Sequence, residues 1–304
     1  MNLFNIIEEI EKVDPEFNDR ISPRRDVIKN MSSFGSKVAL AAIPFALGDL
    51  FKKAYGQAAS SSVISVLNFA LTLELLEATF YNTGMGTSGL VTDSAYIAQI
   101  QADENDHVKF LTSAITAAGG TPVTAASFTY LDFTGGGNGT AATNNGPFKT
   151  VFSNYQTFLA VAETFEDTGV RAYKGQAGNL LGNQTYLTAA LAIHAVEARH
   201  ASAIRYLRMS KYGATVLPWI TSTASGSVDV SGAASNDTGV AAVNANYGGA
   251  TPENTTVQGG VDITKLPSLE GSTTTVATAT AAFDEPLTMA EVLAILVPAF
   301  AQPK

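Results

Sequence analysis

The chain has 304 residues, no cysteine and a formal net charge of −9. Without cysteine it can form no disulfide, no thiolate nucleophile and no Cys-ligated zinc or iron–sulfur site, so any metal must be held by oxygen and nitrogen ligands. The acidic balance disfavours nucleic acid and anionic membrane surfaces as partners. Residues 1–58 carry eight basic and eight acidic side chains, so the whole negative excess lies in residues 59–304.

Residues 1–58 are predicted to be an N-terminal extension with the pattern of a twin-arginine export signal. The pair Arg24 and Arg25 is followed by Lys29 and by a modest apolar run at residues 38–47. The alternative is an ordinary amphipathic helix with arginines on its surface. The run is shorter than the ~20 residues that span a bilayer, so no transmembrane span is expected. The signal predicts an exported, periplasmic or cell-surface protein, and without it the protein would be cytoplasmic.

Residues 59–212 are predicted to form four helices, at about 61–81, 93–118, 148–175 and 184–210. The first is apolar on all sides, as a core helix should be, and Asn82-Thr-Gly84 is expected to end it. The segment 119–147 is too rich in glycine and threonine to be helical. The predicted order is therefore helix, short loop, helix, long crossover, helix, short loop, helix.

Two of the three histidines follow a glutamate by three residues, in Glu104-Asn-Asp-His107 and Glu197-Ala-Arg-His200. On a helix of about 3.6 residues per turn, positions i and i+3 lie on one face. Each motif therefore presents a carboxylate and an imidazole together, which is a pattern typical of metal ligands.

The two halves of the helical region repeat a second spacing. Tyr81 follows Glu74 by seven residues, and Tyr173 follows Glu166 by seven residues. Each half thus reads Glu-x6-Tyr and then, after a similar interval, Glu-x-x-His. Seven residues make two helical turns, so the repeat predicts one site with approximate twofold symmetry.

These features resemble the ferritin-like superfamily, in which one glutamate from each of two helices and Glu-x-x-His from each of the other two hold a dinuclear centre. The segments LNFALTLELLEATFY, ADENDHVKFL, FEDTGVRAY and VEARHASAIR also resemble the exported ferritin-like group that includes desiccation-related proteins. The resemblance covers about residues 60–210. It implies an all-α fold, a ferritin-like four-helix bundle with one long crossover.

The resemblance also implies a cofactor of two divalent metal ions, iron or manganese. Glu74 and Glu166 would be terminal or chelating carboxylates. Glu104 and Glu197 would bridge the two ions, and His107 and His200 would be the nitrogen ligands.

Five other side chains are secondary candidates. Tyr81 and Tyr173 are expected to hydrogen-bond to ligand carboxylates, or else to be ordinary core residues. Glu77 and Glu163 are either supporting groups, alternative ligands or part of a solvated helix face. Only Glu166, and not Glu163, keeps the seven-residue spacing to a tyrosine, so Glu166 is the preferred ligand. His194, one turn before Glu197, is either a further ligand or partner, or an ordinary bundle histidine.

Residues 213–304 are rich in serine, threonine and glycine and are predicted to pack on the bundle as a mostly irregular tail. A short helix is expected near the end, with Pro286 in its first turn and a capping box from Thr288 to Glu291. This long tail disfavours iron storage in a closed cage, whose subunits meet through nearly bare bundle surfaces.

The sequence favours an oxidoreductase that acts on ferrous iron, oxygen or peroxide, in a ferroxidase-like or catalase-like reaction. The rival hypothesis is a non-enzymatic structural or surface-assembly protein whose metal site is structural or vestigial. The expected partners are a small oxidant or ferrous iron, and a homo-oligomer or larger assembly is left open.

Overall fold

The structure, a computed structural model, describes residues 60–221, 238–266 and 273–304. The predicted export signal in residues 1–58 lies outside the described residues. The described chain from residue 60 onward lies within one compact unit.

Four long helices form the core of this unit, in the order predicted from the sequence. They are α1 (Ser61–Gly86), α2 (Ser94–Ala117), α3 (Tyr155–Ala177) and α4 (Gln184–Tyr212). α1 packs along α2, and α3 packs along α4. The long connection joins α2 to α3, so the predicted ferritin-like bundle with one crossover is confirmed.

The predicted start of α3 was seven residues too early. Residues 148–154 form turns, and the helix begins only after Asn154, whose side chain accepts a hydrogen bond from the backbone N–H of Thr157. Phe148 and Val151 are buried within these turns. Their apolar spacing therefore resembles a helical pattern although it belongs to an ordered loop.

The predicted end of α1 was also wrong, because the helix continues through Gly84 to Gly86. A Cβ atom at Gly84 would lie 2.3 Å from Cε2 of Phe158. Gly84 is therefore required by a close approach of α3 to α1, and not by a helix end.

The crossover and the end of the chain are joined by a short sheet. Strand β1 (Phe128–Leu131) in the crossover pairs antiparallel with β4 (Ala301–Pro303), with Leu131 opposite Ala301. Neither strand was predicted, since each is only three or four residues long.

The tail contains more regular structure than the single helix predicted. Its described elements are α5 (Thr238–Gly248), the hairpin strands β2 (Val257–Gln258) and β3 (Val261–Asp262), α6 (Val276–Ala281) and α7 (Met289–Leu296). The capping box between Thr288 and Glu291 is confirmed. Pro286 lies ahead of the cap and not in the first turn.

The tail covers the side of α3 that the other bundle helices leave open. α5 and α7 both contact α3, and every residue from 158 to 173 is buried. Several of these residues are polar and bond to the tail: Thr168 to Asn246, Asp167 to Tyr247, and Arg171 to Glu253. The tail thus pairs with part of the polar face of α3, and Arg205 and Arg208 of α4 pair with Asp167 and Glu163 on the same helix.

Among the described residues, α1 is the one helix that is long and apolar enough to cross a membrane by length and composition. However, 67% of its most apolar window is buried inside the fold. Its hydrophobicity is that of a core helix in the bundle.

Candidate metal centre

Six side chains with metal-ligand chemistry meet in the middle of the bundle. In chain order they are Glu74 on α1, Glu104 and His107 on α2, Glu166 on α3, and Glu197 and His200 on α4. The four carboxylates are 0% exposed, and the two imidazoles are 9% and 5% exposed. Burying an uncompensated carboxylate costs several kcal/mol, so this cluster needs protons or cations to compensate its negative charge.

The first half of the cluster surrounds His107. Its Nδ1 atom lies 3.0 Å from Oε2 of Glu74 and 3.2 Å from Oε2 of Glu104. The same nitrogen lies 3.3 Å from Oε1 of Glu197. One ligand atom from each of these four residues lies within 4.8 Å of the other three, which is close enough to surround a metal ion.

The second half surrounds His200. Its Nδ1 atom lies 2.9 Å from Oε1 of Glu104 and 3.2 Å from Oε2 of Glu166. Glu197 completes this group, again within 4.8 Å. Glu104 and Glu197 thus belong to both groups, which is the arrangement that two bridging carboxylates would have.

Several of the inward-facing atoms make no hydrogen bond within the described part of the chain. They are Oε1 of Glu104, Oε2 of Glu166, both carboxylate oxygens of Glu197, and Nδ1 of His200. Nδ1 of His200 nevertheless lies at ion-pair distance from Oε1 of Glu104, 2.9 Å away. Buried polar atoms are nearly always paired. Unpaired oxygen and nitrogen atoms that converge on one space fit bound cations.

The buried carboxylates have shifted acidities. Burial raises the pKa of Glu74 to about 7, despite the attraction of His107. Burial and the neighbouring Glu104 raise the pKa of Glu197 well above its usual range. Burial also acts to raise the pKa of Glu104, but the contacts with His107 and His200 outweigh burial and lower this pKa below its usual value.

The imidazoles respond to the same charges. Burial by itself would lower the pKa of His107 and of His200. The carboxylate of Glu74 beside His107, and that of Glu166 beside His200, instead raise each pKa well above its ordinary value. The cluster therefore favours positive charge, which either protons or metal cations can provide.

The two tyrosines of the repeated motif form crossed hydrogen bonds. Tyr81 on α1 donates to Oε1 of Glu166 on α3, and Tyr173 on α3 donates to Oε1 of Glu74 on α1. Each tyrosine thus supports the glutamate of the opposite half and not its own. The second oxygen of each glutamate faces the cluster, near a histidine.

The other secondary candidates lie outside the two groups of four. Glu77 is buried near the cluster, and burial together with Glu197 raises its pKa well above normal. Glu163 instead pairs with Arg208 and, at 3.5 Å, with Arg205. His194 is half-buried, and burial lowers its pKa. The structure therefore brings Glu166, and not Glu163, into the cluster.

Two further residues of the site were not singled out from the sequence. Nε2 of His200 lies 3.2 Å from Oδ2 of Asp103, a contact that holds the ring with Nδ1 facing the cluster. Gly169 leaves room for the carboxylates, since a Cβ there would lie 3.3 Å from Oε2 of Glu197. A glycine in the middle of a helix, three residues after Glu166, is a sequence signal for such an approach. Asp103 gives no comparable signal.

Comparison with known proteins agrees with this geometry. Residues 62–210 match the family described as the ferritin-like domain, and this range contains all four bundle helices except the ends of α1 and α4. No curated protein and no solved structure matches the chain.

Proposed function

Residues 62–210 belong to the ferritin-like domain family, and on that premise we propose that this bundle binds two divalent ions, iron or manganese, and acts as an oxidoreductase on ferrous iron, oxygen or peroxide. The observation that carries the proposal is the pair of four-residue groups that share Glu104 and Glu197. A single-ion site would not need two carboxylates common to two sets of ligands.

The donor set fits the proposed ions. Carboxylate oxygen and imidazole nitrogen are ligands for iron and manganese, and there is no thiolate in the chain. Four carboxylates carry the charge that balances two divalent cations. When bound, such ions supply redox equivalents and open coordination positions for a small oxidant.

The surrounding residues hold the ligands in place. Tyr81 and Tyr173 each engage one oxygen of a glutamate and leave the other oxygen directed inward. Asp103 accepts from Nε2 of His200, which fixes the ring so that Nδ1 is free to bind a metal. These contacts reduce the reorganisation that binding would require.

The test of binding is a titration of the metal-stripped protein with ferrous iron or with manganese under nitrogen. The wild type is expected to take up about two ions per chain. The double variant Glu104→Ala/His107→Ala should lose this uptake, because it removes one shared carboxylate and one nitrogen ligand. Glu77→Gln is the control, since Glu77 lies in neither group and glutamine resembles its protonated form. Equal uptake by the double variant and the wild type would contradict the proposal.

The reaction is tested on the loaded protein. Addition of dioxygen or hydrogen peroxide should oxidise the bound ions, as followed by their absorbance, or release oxygen from peroxide if manganese is bound. Ions that bind but do not react with either oxidant would favour a structural site in an assembly protein, and light scattering would then define the assembly.

A further inference from the structure

A small apolar cavity lies in the bundle about one helical turn from the carboxylate cluster. All four helices line it. Leu73 precedes Glu74 in the chain, Leu111 follows His107 by four residues, and Ile193 precedes Glu197 by four residues. The cavity is therefore the next layer of the same bundle core, and each of these lining residues is close in sequence to a candidate ligand.

The size and the walls of the cavity select the kind of molecule that it can hold. The space open to the centre of a water-sized sphere is about 20 Å³, little more than the 10–15 Å³ or so that one water requires. A buried water also needs two to four polar partners, whereas apolar cavities stay dry and accept apolar guests such as xenon. Apart from Tyr173, Gln176 and Tyr186, the lining side chains are hydrophobic.

The opposite end of the carboxylate cluster, near Tyr81, is filled by aromatic rings. Phe80 stacks on Phe158 with ring centroids 4.6 Å apart, and Tyr81 meets Phe158 edge-on at 6.0 Å. The backbone of Gly84 packs directly against the ring of Phe158. The cluster is nearly symmetric in its ligands, but its two ends differ in the described structure: the Tyr173 end borders this apolar space, whereas aromatic rings occupy the Tyr81 end.

Tyr173 connects the cavity to the cluster. Its ring forms part of the cavity wall, while its hydroxyl donates to Oε1 of Glu74. At the outer side, Phe110 of α2 and Ala190 of α4 are half-buried, whereas the other lining residues are buried. The gap between α2 and α4 is thus the place where a small molecule would enter.

We propose that this cavity binds one apolar molecule of the size of dioxygen and is the route by which dioxygen reaches the carboxylate cluster. The binding half of the inference stands on the cavity itself, and the route half rests on the proposed function. An apolar route would favour dioxygen over hydrogen peroxide and ferrous iron, because moving a polar or charged species into an apolar space costs free energy.

The binding half is tested without any metal. Crystals of the full chain are pressurised with xenon, and a xenon peak is expected among Leu73, Leu111 and Ile193. Ala189→Leu should abolish that peak, because Ala189 lines the cavity and the added atoms fill it. Ala192→Leu, the same change on an exposed position of α4 outside the cavity, is the matched control. Absence of xenon from the wild-type cavity overturns the inference.

The route half compares two oxidants on the iron-loaded protein. Ala189→Leu is expected to slow oxidation by dioxygen about tenfold, equivalent to some 1.4 kcal/mol in the barrier, with unchanged metal content and an unchanged rate with hydrogen peroxide. If Ala189→Leu does not fold, Ala190→Leu at the half-buried outer edge tests the same point at a smaller packing cost. Equal slowing with both oxidants, or no slowing with dioxygen, overturns the route. A protein that binds xenon but no metal would contradict the proposed function and leave the binding half supported.

Discussion

At the scale of single residues, the crossed tyrosine contacts connect the two halves of the site. The sequence predicted that Tyr81 and Tyr173 support ligand carboxylates, but not which glutamate each tyrosine would reach. Seven residues of helix span about 10 Å along the axis, which is far for a side-chain hydrogen bond within one helix. The hydroxyl therefore reaches the glutamate of the facing helix. Which helix that would be depends on packing between helices, which the spacing within one helix does not encode.

Asp103 is expected to act on the metal through His200, whose Nε2 it contacts. Asp103→Ala should weaken metal binding by about 10–100-fold, because the ring loses the partner that orients it. Asp103→Asn should restore part of the affinity, since the amide oxygen can still accept the hydrogen bond. The measurement is a competition titration with a chromogenic chelator.

Asp106→Ala is the control for this effect. Asp106 lies on the same helix, but its side chain is 47% exposed and pairs with Lys109. An equal loss of affinity in Asp103→Ala and Asp106→Ala would show that Asp103 has no specific role.

At the scale of helices and strands, periodicity was sufficient to place all four bundle helices, but it failed at the end of α1 and at the start of α3. The apolar residues of the turns before Asn154 mimic a helical pattern, and Gly84 looks like a stop although it serves helix packing. Asp93 is a further example of a residue whose role the local pattern does not reveal. It occupies the N-cap position of α2, but its side chain makes no capping hydrogen bond there. Its carboxylate instead bonds to Lys211 and Tyr212 at the end of α4.

This contact between α2 and α4 predicts a pH-dependent stability difference. Burial acts to raise the pKa of Asp93, but the hydrogen bonds from Lys211 and Tyr212 outweigh it and lower the pKa below its ordinary value. A lowered pKa in the folded state stabilises the fold above the unfolded pKa near 3.9 and ceases to do so as pH falls through the folded value. Asp93→Asn should therefore cost about 1 kcal/mol at pH 7 and progressively less below pH ~4, as measured by urea unfolding. A cost that does not change with pH would contradict this account.

A second prediction at this scale concerns the attachment of the tail to α3. Nε of Arg171 lies 2.5 Å from Oε1 of Glu253, and both side chains are 0% exposed. Without Glu253, Arg171 keeps only its backbone carbonyl acceptors, so Glu253→Ala should lower the free energy of unfolding by about 1.5–3 kcal/mol, the range for a hydrogen bond to a charged group. Lys265→Ala removes the pair with Asp262 from a side chain that is 81% exposed and should cost under about 1 kcal/mol. Similar costs for the two variants, in denaturant titrations, would argue against the tail as a structural part of the bundle.

At the scale of the whole molecule, the fold brings the candidate ligands together, and the proposed metal ions would in turn stabilise the fold. Four buried carboxylates repel one another at the centre of the bundle until protons or cations compensate them. The family and the bundle were predictable because the Glu-x-x-His and Glu-x6-Tyr motifs are local and repeated. The packing of the tail on the bundle and its last helix were also predicted, but its specific contacts with α3 were not, because they join residues such as Thr168 and Asn246 that are far apart in the chain.

Metal binding is accordingly expected to stabilise the folded chain. At a free metal concentration a thousandfold above Kd, binding adds about 4 kcal/mol, which corresponds to a rise in Tm of roughly 10 °C for a chain of this size. Calorimetry of the stripped and reloaded protein checks this. The double variant Glu104→Ala/His107→Ala should show no such rise, because it removes ligands of both groups.

The central claim is that the six clustered side chains hold two metal ions, and elemental analysis of the protein purified from its native source tests it most directly. We predict close to two iron or manganese ions per chain, carried by the two groups that share Glu104 and Glu197. A purified, folded protein that contains neither metal, and that takes up neither when both are supplied, would contradict the account.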